Sequence, residues 1–288
     1  MIIYLGDGYI GNQIFQYVFL KTIQKHHESI IVSGFRNLKE VFVINDIKNI
    51  NQENRWVGVI LRIVRRVLLF LSDQKIISSI TINREKILGK YEREAAAFSA
   101  TDGMLKNITF VKPGFFQSES FFKEETVSKL QIKNKYTSEA NRVLSGVSGD
   151  KYKIFIHIRR GDYKTFMVYG KSPLLPIDYY KDQISWFQKN KKDCFFIFLS
   201  DDTEFVKEEF EYIKNKLIST KNHFGTDLAI MTQCNGAILS PSSFGWWGSY
   251  LMKERDIVFA PKDWLGFGSG IEFPAKGAPS YAEEKSVS

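Results

Sequence analysis

The second half of the chain alternates short, continuous apolar runs with helix-periodic segments, and this alternation is what most limits the fold. Residues 153–158, 194–199, 237–240 and 257–260 read as buried strands, and 178–189, 203–217, 227–234 and 243–253 as helices between them. Of these, 194–199 is a continuous apolar run, as of a strand buried on both faces, and the strand–helix alternation is that of successive βαβ units. The first half opens the same way, with a strand at 2–5, a glycine turn, a helix over 12–27 and a strand at 30–33. A helical pattern follows at 54–72 and a strand-like one at 108–117. The polar stretch 145–151, with two Gly and two Ser, reads as a linker. The expectation is two α/β domains, 1–147 and 148–288, each a Rossmann-like unit, facing across a cleft. The Ala/Gly/Ser/Glu-rich stretch 276–288 reads as a frayed tail.

Composition narrows the function classes. At 44% hydrophobic and 25% charged residues over 288, the chain is a packed globule and not a disordered one. Cys194 and Cys234 both lie in apolar contexts, which excludes a disulfide framework and favours a reducing compartment. No apolar run of about 20 residues occurs, and Met1 leads into Ile2 without a charged segment, so a cytoplasmic protein without a membrane span is expected. The net charge is +8, and residues 55–93 alone hold nine Lys/Arg against three Asp/Glu. One basic face on a nearly neutral body differs from the basic stripe of a nucleic-acid binder. The aromatics also sit in apolar runs such as Phe195-Phe196-Ile197-Phe198, not interleaved with cations, so the alternative of a basic RNA-binding protein is disfavoured.

The chemistry concentrates in the run Ile154 to Tyr163, which contains His157-Ile158-Arg159-Arg160-Gly161-Asp162. On a strand, Phe155 and His157 share one face, and Arg159 continues it just beyond the carboxyl end, where open α/β sheets bind ligands. A guanidinium there offers a planar fork for two phosphate oxygens; a solvated turn with Asp162 paired to an arginine is the structural alternative. Ser240-Pro241-Ser242-Ser243-Phe244 then ends a strand and starts a helix. With Ser242 or Ser243 as cap, the backbone N–H groups at that start form an anion site, while Trp246 and Trp247 are core. Two anion-seeking features at neighbouring strand ends suggest a diphosphate. Asp202 follows a buried strand and reads as a helix cap or a ligand-side carboxylate. Asp227 reads either as a cap or as the acceptor for a guanine edge. At the other end of the chain, Gly6-Asp7-Gly8-Tyr9-Ile10-Gly11 spells a dinucleotide pattern, which would make an NADP-dependent oxidoreductase with Arg36 near the second strand. No acid ends that strand, however. Asn12 reads as a cap or as a side-chain amide placed beside a sugar.

Taken together, Gly8-x-x-Gly11-Asn12-Gln13-x-Phe15-Gln16-Tyr17, Pro113-Gly114-Phe115-Phe116-Gln117-Ser118, His157-x-Arg159-Arg160-x-Asp162-Tyr163 and Ser242-Ser243-Phe244-x-Trp246-Trp247-Gly248 resemble the bacterial α-1,2-fucosyltransferases. The resemblance implies a GT-B fold, GDP-fucose as donor, inversion at the fucose anomeric carbon, and the 2-hydroxyl of a galactose in an oligosaccharide or lipid-linked glycan as acceptor. It implies no metal and no other cofactor. Arg159 then matches the arginine on the donor β-phosphate, His157 the histidine lining the nucleotide, and Asp227 the aspartate reading guanine. Ser243 and Phe244 match the pair whose N–H groups hold the diphosphate, and Asn12 an asparagine near the transferred sugar. One departure stands out, because the α-1,6 members carry a glutamate ten residues after the motif histidine and this chain has Met167 there. Asp162 is the nearest carboxylate in the motif, as a base or as a turn-stabilising group.

The basic block contains its own pattern. Within 57–71, Ile60, Leu61, Ile63, Val64, Val67, Leu68 and Leu71 recur with Arg62, Arg65 and Arg66 as a basic amphipathic helix. It reads either as packed in the first domain with its arginines in water, or as a peripheral contact for anionic lipid at the inner face of the cell membrane.

Overall fold

The computed structural model describes residues 1–50 and 55–287. The chain forms two compact units, Met1–Gln131 with Pro274–Lys276, and Ile132–Phe273 with Gly277–Ser288. The division lies at 131/132 and not at 147/148, because the helix preceding the polar stretch packs with the second unit. Its Tyr136 stacks on His223 at 4.9 Å, and Gly225 approaches the same ring so closely that a Cβ there would lie 3.0 Å from it.

In the first unit the order is β1 (Ile2–Leu5), α1 (Ile10–Ile23), β2 (Ile30–Ser33), α2 (Arg36–Val41), β3 (Lys48–Ile50), α3 (Arg55–Asp73), β4 (Ile77–Ile87), β5 (Tyr91–Thr101), β6 (Leu105–Val111) and α4 (Glu124–Val127). The strands make one sheet in the order β3-β2-β1-β6-β4-β5, parallel except for the β4–β5 hairpin. Connectivity reverses between β1 and β6, so the segments leaving those two strands flank a switch point. The long hairpin is absent from the sequence expectation. Its residues come in charged runs such as Arg84-Glu85-Lys86 and apolar ones such as Ala95-Ala96-Ala97-Phe98, without a clean alternation, and its arginines are spent on cross-strand pairs, Arg93 with Glu85 at 2.6 Å and Arg84 with Glu92 at 3.9 Å. The strand expected over 108–117 stops at Val111, since Pro113 offers no N–H to a ladder and Phe116 adopts φ 55°. The helical pattern of 54–72 is α3, residue 54 lying outside the described residues.

The second unit contains α5 (Asn134–Leu144), β7 (Tyr152–Ile158), α6 (Ile177–Asn190), β8 (Cys194–Ser200), α7 (Thr203–Glu209), β9 (Lys216–Ser219), α8 (Phe224–Met231), β10 (Gly236–Leu239), α9 (Ser243–Tyr250), β11 (Ile257–Pro261) and β12 (Glu283–Lys285). All pairings are parallel, in the order β12-β11-β10-β7-β8-β9. Counted from β7, this is the doubly wound order 3-2-1-4-5-6, with its switch point between β7 and β10. Ile154, Ile156, Phe196, Phe198, Ile238 and Phe259 are buried in its core with Tyr180, Ile184 and Phe187 of α6. The helix expected over 203–217 ends at Glu209. Phe210 and Ile213 keep helical spacing but sit in the core as turn residues, and the chain then adds β9 to the edge. The stretch expected to fray from 276 instead pairs Glu283–Lys285 with β11.

Candidate functional site

At the switch point of the second unit, Arg159 directly follows β7 and Ser240 directly follows β10, and Ser240 binds the two strand ends together. Its Oγ donates to His157 O at 2.9 Å and accepts from the Arg159 N–H at 2.8 Å, and it lies 2.7 Å from the buried Tyr180 Oη. The Arg159 side chain is then fixed by two carboxylates, Asp162 Oδ1 on Nε at 2.8 Å and Asp201 Oδ2 on Nη1 at 3.2 Å. Asp201 also accepts the Arg160 N–H at 2.9 Å and the Gly161 N–H at 3.2 Å, so one carboxylate organises the whole turn after β7. Tyr163 closes it from the far side by donating to Pro241 O at 2.6 Å. Asp162 thus helps hold the arginine in place. A guanidinium held through Nε and Nη1 needs little further ordering to meet an anion.

His157 lies one register step behind Arg159 on β7, opposite Leu239 of β10, and is buried. Burial first, and the Arg159 charge second, push its imidazole down to about 4. It is therefore neutral near pH 7, and its Nδ1 is buried without a hydrogen-bond partner. Above it runs α9, whose Gly245 comes so close that a Cβ would stand 2.9 Å from the ring, with Phe244 edge-on at 5.9 Å. Ser242 caps α9, its Oγ accepting from the Phe244 N–H at a long 3.4 Å, and Ser243 opens the helix. Trp246 and Trp247 are core, as expected.

The two aspartates expected at the rim differ. Asp202 caps α7 by accepting from the Phe205 N–H at 3.4 Å, and its other oxygen receives Arg160 at 3.1 Å and Lys164 at 3.2 Å. Both its oxygens are thus engaged within the protein. Asp227 is not a cap, since that position belongs to His223, whose Nδ1 accepts from the Gly225 N–H at 3.0 Å. It lies in the first turn of α8 and accepts from Ser219 Oγ at 2.6 Å and from the Asn222 side chain, and burial, outweighing both, raises its pKa to about 6.

In the first unit, the turn from β1 to α1 is built from buried amides. Gln13 Nε2 donates to Gly8 O at 2.8 Å while its Oε1 accepts from the Leu38 N–H at 2.8 Å, and Gln16 Nε2 donates to Asp7 O at 3.0 Å. Gly6 packs against the Tyr4 and Phe35 rings with no room for a Cβ, and Gly8 adopts φ 98°. Packing at Gly6 and backbone conformation at Gly8 thus account for two of the three glycines that spell a dinucleotide pattern. Asn12 is not a cap either, as that place falls to Tyr9. It stands in the first turn of α1, where its Oδ1 accepts from Gln117 Nε2 at 2.6 Å. This bond links the segments leaving β1 and β6 across their switch point. Tyr4 Oη anchors the second segment at Gly114 O, 2.7 Å away, and the Glu94 carboxylate receives the Phe115 N–H at 3.3 Å. Burial raises the pKa of Glu94. Beside Pro113 opens a cavity of about 860 Å³ lined by Thr81, Asn83, Arg84, Ser99 and Lys112.

The structure thus brings His157, Arg159 and Asp162 together in the second unit with Ser242, Ser243 and Phe244 on the neighbouring strand end, and leaves Asp202 engaged elsewhere. Ser240, Asp201, Tyr163 and Tyr180 are additions. The sequence contains a signal for Asp201, an acid directly after a buried strand and beside a basic turn. Tyr180 has none, because only the tertiary fold brings it to Ser240. Among the described residues, no group of three or more His, Cys, Asp or Glu side chains gathers as a metal site, and no helix is long and apolar enough to cross a membrane.

Comparison with known proteins places this geometry. The model of glycosyl transferase family 11 matches residues 8–269. The chain is 25% identical over 284 residues to the alpha-1,2-colitosyltransferase of Escherichia coli, covering 90% of each protein. It is 30% identical over 166 residues to galactoside alpha-(1,2)-fucosyltransferase 1 of Ateles belzebuth, covering 51% of this chain and 44% of that protein. With the O-antigen biosynthesis glycosyltransferase WbnK of Escherichia coli it shares 32% identity over 115 residues, 38% of each chain. The chain thus spans less than half the length of two of these three relatives and nearly all of the third. Among solved structures, POFUT1 in complex with GDP superimposes with a TM-score of 0.51 at 10% identity over 89% of this chain and 96% of that one, a likeness of fold. The fold is GT-B, α/β with two parallel-sheet domains.

Proposed function

The chain belongs to glycosyl transferase family 11, with the bacterial and mammalian α-1,2-fucosyl- and colitosyltransferases, and from that premise we propose that it is an inverting galactoside α-1,2-fucosyltransferase. The donor is GDP-fucose, and the acceptor is the 2-hydroxyl of a galactose in an oligosaccharide or lipid-linked glycan. The observation that carries this reading is Arg159, held by Asp162 and Asp201 at the switch point beside the α9 N-terminus. Fucosyl transfer builds negative charge on the departing diphosphate. A preorganised guanidinium and the N–H groups at Ser243 and Phe244 stabilise that charge without reorganising, so the reaction needs no metal. Neutral His157 lines the nucleotide without adding charge, and the Asp227 carboxylate, held by Ser219 and Asn222, accepts from the guanine edge. Asn12, pinned by Gln117, orients a sugar hydroxyl. The cavity beside Pro113, with hydroxyl, amide and cationic walls, suits the remainder of a glycan.

Incubation with GDP-fucose and a panel of galactose-terminated oligosaccharides, with and without EDTA, followed by mass and linkage analysis, tests the reading. We expect an α-1,2-linked product in both conditions. Arg159→Ala is expected to retain the fold and lose about 10²- to 10³-fold in turnover, as for one preorganised oxyanion donor. Near-normal transfer by the folded variant would overturn the role of Arg159. The nearly full-length similarity to a colitosyltransferase favours one second reading, a colitosyl donor at the same site, and the same assay run with both donors separates the two.

A further inference from the structure

Helix α3 is the largest anomaly on the surface of the first unit. One stripe, Leu61 and Leu68, is buried on the sheet with Leu5, Ile77 and Phe110. A second apolar stripe faces water, with Trp56 at 74% exposure, Ile60 and Ile63 at 56%, Val67 at 49% and Phe70 at 61%. Their spacing of i, i+4, i+7, i+11 and i+14 aligns them along one side of a helix about 28 Å long. A contiguous apolar strip of that length in solvent marks an interaction surface.

The cations identify the partner. Arg55, Arg62 and Arg66, at i, i+7 and i+11, form a row between the buried stripe and the exposed one, and all three are exposed without an ion pair among the described residues. The basic block therefore divides in two. The hairpin arginines pair with acids, whereas those of α3 do not. From 55 to 72 the helix has no acidic residue at all. A second copy docking through this stripe would bring two unpaired arginine rows together with no carboxylate on the helix to receive them. A nucleic acid would leave the apolar stripe in water. A helix with an aromatic and aliphatic face beside an arginine row matches the interface of a bilayer, where apolar side chains enter the acyl boundary and guanidinium groups meet lipid phosphates.

We propose that α3 docks the protein onto an anionic phospholipid bilayer, with Trp56, Ile60, Ile63, Val67 and Phe70 inserted and Arg55, Arg62 and Arg66 on the headgroups. None of these eight residues has a part in the transfer chemistry. The test is cosedimentation of the full chain with vesicles of phosphatidylcholine alone and with 30% phosphatidylglycerol, at low and high salt. We expect at least about tenfold tighter binding to the anionic vesicles, weakening as salt rises. Arg62→Gln with Arg66→Gln should lower the partition coefficient by about 30-fold, from roughly one kcal/mol per cation near an anionic surface. Ile63→Asp with Val67→Asp should abolish binding, with an unchanged melting temperature because both positions are exposed. Equal partitioning of the wild-type chain onto neutral and anionic vesicles would overturn the proposal. So would a dimer in solution that the Ile63→Asp, Val67→Asp variant splits, for the stripe would then be covered by a second copy.

Discussion

A buried imidazole that is neutral because the fold denies it both water and a partner leaves a mark on stability. The pKa of His157 is about 4 against 6.5 for the free side chain, so between those values the unfolded chain binds a proton that the folded one does not. Stability therefore falls as pH drops from about 6.5 to about 4, by a total of about 3 kcal/mol from this residue. Asp227 works in the opposite sense. Its pKa is raised to about 6, so the folded chain binds the extra proton, and this contribution is greatest in acid and is lost as pH rises through about 6. Urea unfolding of the wild-type chain and of His157→Gln between pH 4 and 7 separates the two. The variant should be flatter on the acid side by about that amount, and coincident profiles would mean the imidazole is not neutralised by burial.

At the level of elements, the neighbouring ends of β7 and β10 fix the position of α9, and Gly245 lets the helix rest directly on the His157 ring. Gly245→Ala should lift that end of the helix, destabilising the fold by about 1–3 kcal/mol as overpacking does and weakening GDP binding at least several-fold. Unfolding curves and calorimetric titration with GDP check both effects, and wild-type values in both would show that α9 tolerates the methyl group. The elements themselves were unevenly legible. β8, β10 and β11 appear as apolar runs and β7 does so apart from Lys153 and His157, and Arg159 and Ser242 stand just beyond where those runs end. The β4–β5 hairpin breaks its alternation with the charged runs Arg84-Glu85-Lys86 and Glu92-Arg93-Glu94 and the apolar run Ala95-Ala96-Ala97-Phe98, and β9 follows residues that keep helical spacing, so neither announces itself. Asp201 and Ser240 were harder still. Their roles are hydrogen bonds across about 40 and 80 positions of chain, which no local pattern encodes.

For the molecule as a whole, the division into units does not follow the order of the chain, because Pro274–Lys276 belongs with the first unit although the second has intervened. The Ala275 N–H donates to Glu94 O on β5 at 3.2 Å, tying the returning segment to the hairpin. Ala275→Pro removes that donor. It should cost the first unit about 1 kcal/mol and raise hydrogen exchange in β5 while that in β7 and β8 stays the same. Unchanged protection of β5 would show that the returning segment merely lies alongside. The same connection sets a clock during synthesis. The three residues that complete the first unit leave the ribosome more than 140 positions after Gln131, roughly 7 to 30 seconds later at ordinary elongation speeds. The hairpin must wait through that interval with its edge unfinished, so the unit that is made first is completed only about a dozen residues before the second.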